Sequence, residues 1–306
     1  MPSCLGLVCI TNSKEIRYRT ITRTRLLAAS LDTQHKLLDD IYRDNLQTFE
    51  KALRYCEREG IALYRIPSSI FPFFDEEIGR AVMAPLSAAL AKAGARATAL
   101  GIRLVMHPDQ FVVLSSDSPA VVANSVKILQ MHADIMDGLQ QPRSPWALLE
   151  IHGGKSDRSD QLVAVIATLP DAIRSRLGLE NDEYAYGADA ILAICQRSGV
   201  PMVFDAHHHI VHEKLSSYDD PGVGAMLALA RSTWTDPSHQ LVHISNGRTS
   251  FNDRQHADLI ATMPASYKDA PWIEIEAKSK EEAIAGLAGW QQATTLRGSG
   301  PANVIF

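Results

Sequence analysis

The sequence predicts an α/β fold: a single (β/α)8 TIM barrel over residues 1–306, with its active site at the C-terminal ends of the strands. Three observations predict it. Eight short apolar runs alternate with eight amphipathic stretches, and no hairpin signal lies between them, which favours a parallel sheet. Eight such units in 306 residues is the size of this barrel. Finally, six consecutive runs end in, or lead directly into, a histidine or a carboxylate. An open doubly wound sheet is the alternative, weakened by the lack of a Gly-rich phosphate loop after the first run.

The elements follow in order. Cys4–Cys9 is the first strand, and a basic stretch follows it. A helical pattern over Gln34–Glu59 ends at Gly60, where a left-handed C-cap is expected before the strand Ala62–Ile66. Glu76–Leu100 is the next helix, closed by Gly101 ahead of the strand Ile102–His107. Asp117-Ser118-Pro119 supplies cap residues and a first-turn proline for a helix over Pro119–Leu139. Strands at Trp146–His152, Leu177–Asn181, Pro201–Asp205, Gln240–Ser245 and Trp272–Ala277 complete the eight. Helices are expected at Ser159–Leu177, Gly187–Ser198 (closed by Gly199), Gly222–Thr233, Asp253–Met263 and Ser279–Gln291.

Composition bounds the function. With 46% hydrophobic and 21% charged residues the chain is ordinary globular material. No window approaches the roughly 18 apolar residues of a membrane span, and Met1–Gly6 has no charged-then-apolar secretion pattern. Cys4, Cys9, Cys56 and Cys195 form no CxxC pair and read as free thiols of a reducing cytoplasm, nucleoid-associated if the source is bacterial. A net charge of −5 does not advertise nucleic-acid binding, but a local basic patch is enough for it.

In a barrel the strand ends share one rim. His107, His152, Glu180 and Asp205 end four strands, with His208 just past the last; His243 and Glu276 stand on the next two, and His256 follows a short loop. Carboxylate and imidazole together suit Mn, Fe or Zn. Eight ligands exceed the needs of one ion, so two or three divalent ions are implied. Glu180 and Glu276 are the best bridging carboxylates, because each offers two oxygens. His207 and His209 read as support for His208; Asp182 and Glu183 read as loop; His35, His132, His212 and His239 read as exposed. With period two, Glu150 and Glu274 face inward, as do Arg103 and Arg65, and an internal ion network is expected.

The loop after the first strand holds five basic residues and one acidic between Asn12 and Arg25. Asn12, Lys14, Arg17 and Arg19 would sit on the catalytic rim, joined by Lys155, Arg158 and Arg248 from later loops. A basic rim beside a multi-metal site suggests a phosphodiester backbone.

Several segments resemble the UV damage endonucleases. They include Tyr64-Arg65-Ile66-Pro67-Ser68-Ser69, Met106-His107-Pro108-Asp109-Gln110-Phe111, Leu179-Glu180-Asn181-Asp182, Phe204-Asp205-Ala206-His207-His208, Val242-His243-Ile244-Ser245 and Ile275-Glu276-Ala277-Lys278. The matches keep the family's order and cover nearly the whole chain. The resemblance implies a cluster of up to three divalent metals, Mn2+ first, with Mg2+, Co2+ or Zn2+ as substitutes. It implies incision of damaged double-stranded DNA immediately 5′ of a UV photoproduct, leaving a 3′-hydroxyl and a 5′-phosphate. Abasic sites are a further substrate of some members. It carries over His107, His152, Glu180, Asp205, His208, His243, His256 and Glu276 as the metal sphere, and Gln110 and Phe111 as the pair that probes the lesion. Phe111 replaces the family's Tyr, which keeps the ring face for stacking and loses the hydroxyl. Glu180, Glu276, Asp205 and His243 are the expected catalytic set. A monomer with no protein partner is expected.

Three further departures mark the chain. Asp75 or Glu76 stands where the family has a His, Leu241 where it has a Lys, and Leu7 where some members have a Tyr. Two rivals follow. A metal-dependent sugar isomerase or epimerase on the same barrel explains the ligands but not the basic first loop. A lesion-binding protein with a site weakened at Leu241 and Asp75–Glu76 is the rival outside enzymology.

Overall fold

The computed structural model describes residues 3–109 and 111–290. Eight parallel strands close in sequence order, each beside the next and β8 beside β1. They are β1 (Cys4–Val8), β2 (Leu63–Ile66), β3 (Arg103–Met106), β4 (Leu149–His152), β5 (Leu177–Glu180), β6 (Met202–Asp205), β7 (Leu241–Ile244) and β8 (Trp272–Ile275). Around them run α1 (Arg23–Leu27), α2 (Leu31–Glu59), α3 (Glu77–Met83), α4 (Ser87–Ala99), α5 (Pro119–Gly138), α6 (Ser159–Thr168), α7 (Asp171–Arg174), α8 (Ala188–Ser198), α9 (Ala206–Glu213), α10 (Pro221–Arg231) and α11 (Glu281–Gly286).

The punctuation explains most boundaries. Gly60 and Gly199 end α2 and α8 at φ of 67° and 76°, the left-handed region that favours glycine. Pro119 is the first residue of α5, but neither Asp117 nor Ser118 caps it with a side chain; Asp117 is taken by Lys155 and Arg158. The expected helix over 76–100 is divided, with a 3-10 turn at Ala84–Leu86 containing Pro85 between α3 and α4. That over 159–177 breaks at Leu169-Pro170 into α6 and α7.

Two readings are corrected. Residues 253–263 form no helix. The Asp253 carboxylate accepts from the backbone N–H of Thr249 and Gln255, Gly247 pairs with His256 in an isolated bridge, and Asn246 Oδ1 accepts from the N–H of Ala261 and Thr262. Side chains thus take backbone groups that a helix would use. His132 is not exposed: it is wholly buried on α5, its Nε2 2.9 Å from Ser68 Oγ. The last position of the expected helix 279–291 lies outside the described residues; within them α11 ends at Gly286, and 288–290 are helical again after a turn at Leu287.

Strand alternation sorts the interior. One apolar layer lies between sheet and helices. Leu63, Val105, Leu148, Val203 and Leu241 form a second, smaller cluster inside the barrel with Trp234 and Trp272. Leu241 is therefore packing material below the rim. Arg103 joins this lower end. Its guanidinium donates to the carbonyls of Trp146 (2.8 Å), His239 (2.9 Å) and Pro145 (2.8 Å), with the rings of Trp146, Trp234 and Trp272 around it. It does not join the carboxylates, which corrects that part of the expected ion network. Burial lowers its pKa, while Glu274 and Glu150 act in the opposite sense. Among the described residues no helix is long and apolar enough to cross a membrane, and the four cysteines are free.

Candidate metal centre

The site is built around Glu180, the last residue of β5 and almost wholly buried. Four imidazoles reach its two oxygens. His107 Nε2 lies 3.1 Å and His152 Nε2 3.6 Å from Oε2; His243 Nδ1 lies 3.0 Å and His208 Nδ1 3.3 Å from Oε1. Burial pushes the Glu180 carboxyl up, but His243, His152 and the hydrogen bonds of His107 and His208 hold it well below the usual range.

Each ligand arrives for a local reason. His107 follows β3, where Pro108 ends pairing, and its Nδ1 lies 2.9 Å from the Pro108 carbonyl. Asp205 ends β6 and also caps α9, accepting from the His208 N–H at 2.7 Å. That cap places His207, His208 and His209 on a helix rather than in a loop. His208 faces the site, with Nδ1 3.0 Å from the Asn181 carbonyl. His207 is buried away from it, Nδ1 2.7 Å from the Tyr218 hydroxyl and Nε2 2.8 Å from the Asp253 carbonyl. His209 packs edge-on against Phe204.

Ligand atoms within 4.8 Å of one another form the groups His107–His152–Glu180, Glu180–Asp205–His208, Asp205–His243–Glu276 and Glu150–His243–Glu274. Glu180, Asp205 and His243 each belong to two groups, as bridging or shared positions would. Glu276 belongs to one, and His256 to none; His256 Nδ1 lies 3.9 Å from Glu276 Oε2. Asp205 Oδ2 and His152 Nδ1 are buried without a hydrogen-bond partner. Unpaired buried lone pairs among carboxylates and imidazoles fit divalent ions.

Below this cluster lies Arg65 of β2. Its guanidinium pairs with Glu274, lies 2.7 Å from Glu276 Oε1 and 3.0 Å from Glu150 Oε1, and meets His243 Nε2 at 2.9 Å. The contact to Glu150 Oε1 lacks hydrogen-bond geometry. Burial lifts the Glu150 carboxyl. Burial would lift Glu274 as well, yet Arg65 and His243 bring it down to about 2. His243 is lowered by burial but raised well above its ordinary value by Glu150, Glu180 and Glu276. Sequence reasoning found these charges by alternation; it did not foresee that Arg65 reaches up to Glu276.

The departures resolve in part. Asp75 pairs with Lys127 at 2.7 Å and Glu76 with Arg23, so neither joins the metal groups. Leu7 is fully buried. On the rim, Phe111 is 75% exposed, while Gln110 lies outside the described residues. Lys14 and Arg17 are exposed and make no ion pair among the described residues, whereas Arg19 pairs with Asp44. Asn12 is held by Glu281 and Glu282, its backbone N–H 2.7 Å from Glu281 Oε2. Arg248 meets Gln255 Oε1 at 3.0 Å.

Residues 3–300 match the family described as UV-endonuclease UvdE. The chain belongs to this family. Among UvdE relatives, the chain is 56% identical over 288 residues to a UV DNA damage endonuclease of Nostoc sp., covering 94% of this chain and 89% of that one. It is 49% identical over 286 residues to a UV DNA damage endonuclease of Deinococcus radiodurans, covering 92% and 94%. The solved structure of SacUVDE superposes with a TM-score of 0.79 at 24% identity, over 96% of this chain and 97% of that one, a likeness of fold. This UvdE member thus carries the family's barrel with its histidines and carboxylates gathered at the rim.

Proposed function

We propose that the chain is a metal-dependent DNA endonuclease that incises the backbone immediately 5′ of UV photoproducts, leaving a 3′-hydroxyl and a 5′-phosphate, with abasic sites as further substrates. The observation that carries the chemistry is the convergence of four imidazoles and the Asp205 carboxylate on Glu180 at the mouth of the barrel. Family membership supports the damaged-DNA substrate, and the resemblance supports the side of incision.

The charge balance supports two or more divalent ions. Five carboxylates, Glu150, Glu180, Asp205, Glu274 and Glu276, share the cluster with one guanidinium among the described residues, Arg65, which pairs with three of them. With neutral imidazoles that leaves four negative charges, the complement of two divalent cations. His107, His152, Glu180, Asp205, His208, His243 and Glu276 would hold them, with His256 at the edge and Mn2+ the first choice. Bound there, such ions supply an activated water and stabilise charge on the phosphoryl oxygens.

The remaining work belongs to the chain. The Pro108 and Asn181 carbonyls each take an Nδ1–H, which leaves Nε2 of His107 and His208 as the lone pair for ligation. Arg65 fixes Glu276 and Glu274 from below and cannot release its charge. Phe111 wedges or stacks at the lesion, where damaged steps cost less to deform. Lys14 and Arg17 contact phosphates and set the register of the duplex.

The test is incubation of the purified chain with Mn2+ and an end-labelled duplex, UV-irradiated or not. Selective nicking of irradiated DNA is expected. Binding without nicking would instead indicate a lesion-binding protein, and turnover of a sugar without DNA binding would indicate an isomerase.

A further inference from the structure

A cavity of 770 Å³ opens beside the histidine cluster, between the loops that follow β4 and β5. Its size lies within the roughly 300–1,000 Å³ of small-molecule pockets. His152, His208 and His256 line its inner end, and Lys155 and Tyr184 line it further out. Tyr184 is 64% exposed and covered by no apolar side chain of the core. An exposed tyrosine of this kind is ordinarily a mobile surface side chain.

This one sits on a braced loop. The Asp182 carboxylate accepts from three successive backbone N–H groups, those of Tyr184 (2.7 Å), Ala185 (2.5 Å) and Tyr186 (3.3 Å). Tyr186 then ties this loop to the one after β4. Its hydroxyl donates to the Lys155 carbonyl at 2.7 Å and accepts from the Arg158 N–H at 2.9 Å. Behind Tyr184 stands Arg254, its guanidinium carbon 3.8 Å from the ring centroid. Arg254 does not line the cavity. One face of the ring is thus taken by the guanidinium, and it is the tyrosine, not the arginine, that lines the cavity.

We infer that Tyr184, backed by Arg254, is a stacking platform for a nucleobase of the damaged strand next to the scissile phosphate. The inference rests on the endonuclease reading above. Three features select a base as the occupant. The cavity is continuous with the metal centre, so whatever fills it adjoins the reacting phosphate. The Tyr184 face is flat, apolar and already ordered, so stacking loses little side-chain entropy. Lys155 on the same wall offers a cation to the strand's backbone, and its own pairing is to Asp117, a carboxylate shared with Arg158, so the group keeps net positive charge. Phe111 projects from a different loop and does not line this cavity, so the two aromatics have separate tasks.

The test uses the full chain carrying Glu180→Gln, which prevents incision, in buffer containing Mn2+, and measures equilibrium binding to a UV-irradiated duplex and to the same duplex unirradiated. Tyr184→Ala is expected to weaken binding of the irradiated duplex about 5- to 150-fold, the range of base–aromatic stacking. The unirradiated duplex should bind as before, and thermal unfolding should be unchanged. Tyr184→Phe should keep the parent affinity, and Arg254→Ala should lose a smaller part of it. An unchanged affinity of Tyr184→Ala for irradiated DNA overturns the platform, as does an equal loss on both duplexes. A loss by Tyr184→Phe as large as by Tyr184→Ala would assign the effect to the hydroxyl and overturn stacking. If the parent shows no preference for irradiated DNA before any change at Tyr184, the endonuclease reading itself fails and the platform falls with it.

Discussion

Replacing Arg65 with Met removes the guanidinium that, among the described residues, pairs with the buried carboxylates beneath the candidate metal centre. The side chain volume is roughly kept, so the loss is electrostatic. Breaking a buried ion pair on one side costs about 3–5 kcal/mol, because the partner is left as an uncompensated charge. Arg65 leaves three such partners, Glu150, Glu274 and Glu276. Glu274 points the same way. Its carboxyl is held at about 2 against an ordinary 4.5, and Arg65 is the foremost of the groups that lower it. A loss of about 3–4 kcal/mol is therefore expected. The assay is urea unfolding at pH 7 in chelator, followed by circular dichroism, so that metal binding does not mask the loss. A second substitution sharpens it. Glu274→Gln added to Arg65→Met removes one uncompensated charge and should restore at least about 1 kcal/mol, whereas in the wild-type background it should destabilise. A loss below about 1 kcal/mol for Arg65→Met, or strict additivity of the pair, would refute the claim that this guanidinium neutralises the layer.

Three other outcomes are expected. Glu180→Gln should abolish incision of irradiated duplex and lower the Mn2+ bound per chain, measured by elemental analysis, while duplex affinity changes little. The pH dependence of the metal-free protein follows from the same cluster. His208 and His243 are raised well above 6.5 in the fold, so their contribution is complete below 6.5 and is lost as pH rises through the folded values. Glu274 is depressed, so its contribution is present above 4.5 and is lost as pH falls toward about 2. Thermal unfolding in chelator should therefore peak between those limits, whereas Mn2+ affinity should rise with pH, because ligation displaces the histidine protons; a flat alkaline limb would exclude protonated His208 and His243. Arg103→Met should cost about 3 kcal/mol in the same urea assay, since three backbone carbonyls lose a charged donor, with incision rates unchanged.

How much of this was legible in the sequence depends on which physical rule governs each position. Strand ends were legible. A parallel strand buried on both faces must be an apolar run, and the first polar residue after it stands on the rim; His107, His152, Glu180 and Asp205 were found that way and do meet there. Inward charges were legible for the same reason, by period two. What alternation does not contain is height and direction along the barrel axis. Arg65 and Arg103 share the inward face, yet one reaches up to Glu276 and the other down to three carbonyls. A long side chain chooses its partner by where counter-charges lie in space, and those come from strands far away in the chain.

Loops were less legible because side chains there decide the backbone. Residues 253–263 have helical periodicity, but Asn246 takes the N–H groups of Ala261 and Thr262 that a helix would need. No helix is expected at the three histidines after Asp205, yet the Asp205 carboxylate accepts from the His208 N–H and starts α9. Both cases turn on one short polar side chain bonding to backbone three to sixteen residues away. The same device braces Tyr184 through Asp182. The loops of this barrel are thus set by Asp and Asn side chains over the rim, and the ligands by the strands beneath. Substitutions at the first kind of position should alter which DNA is accepted, and at the second whether it is cut.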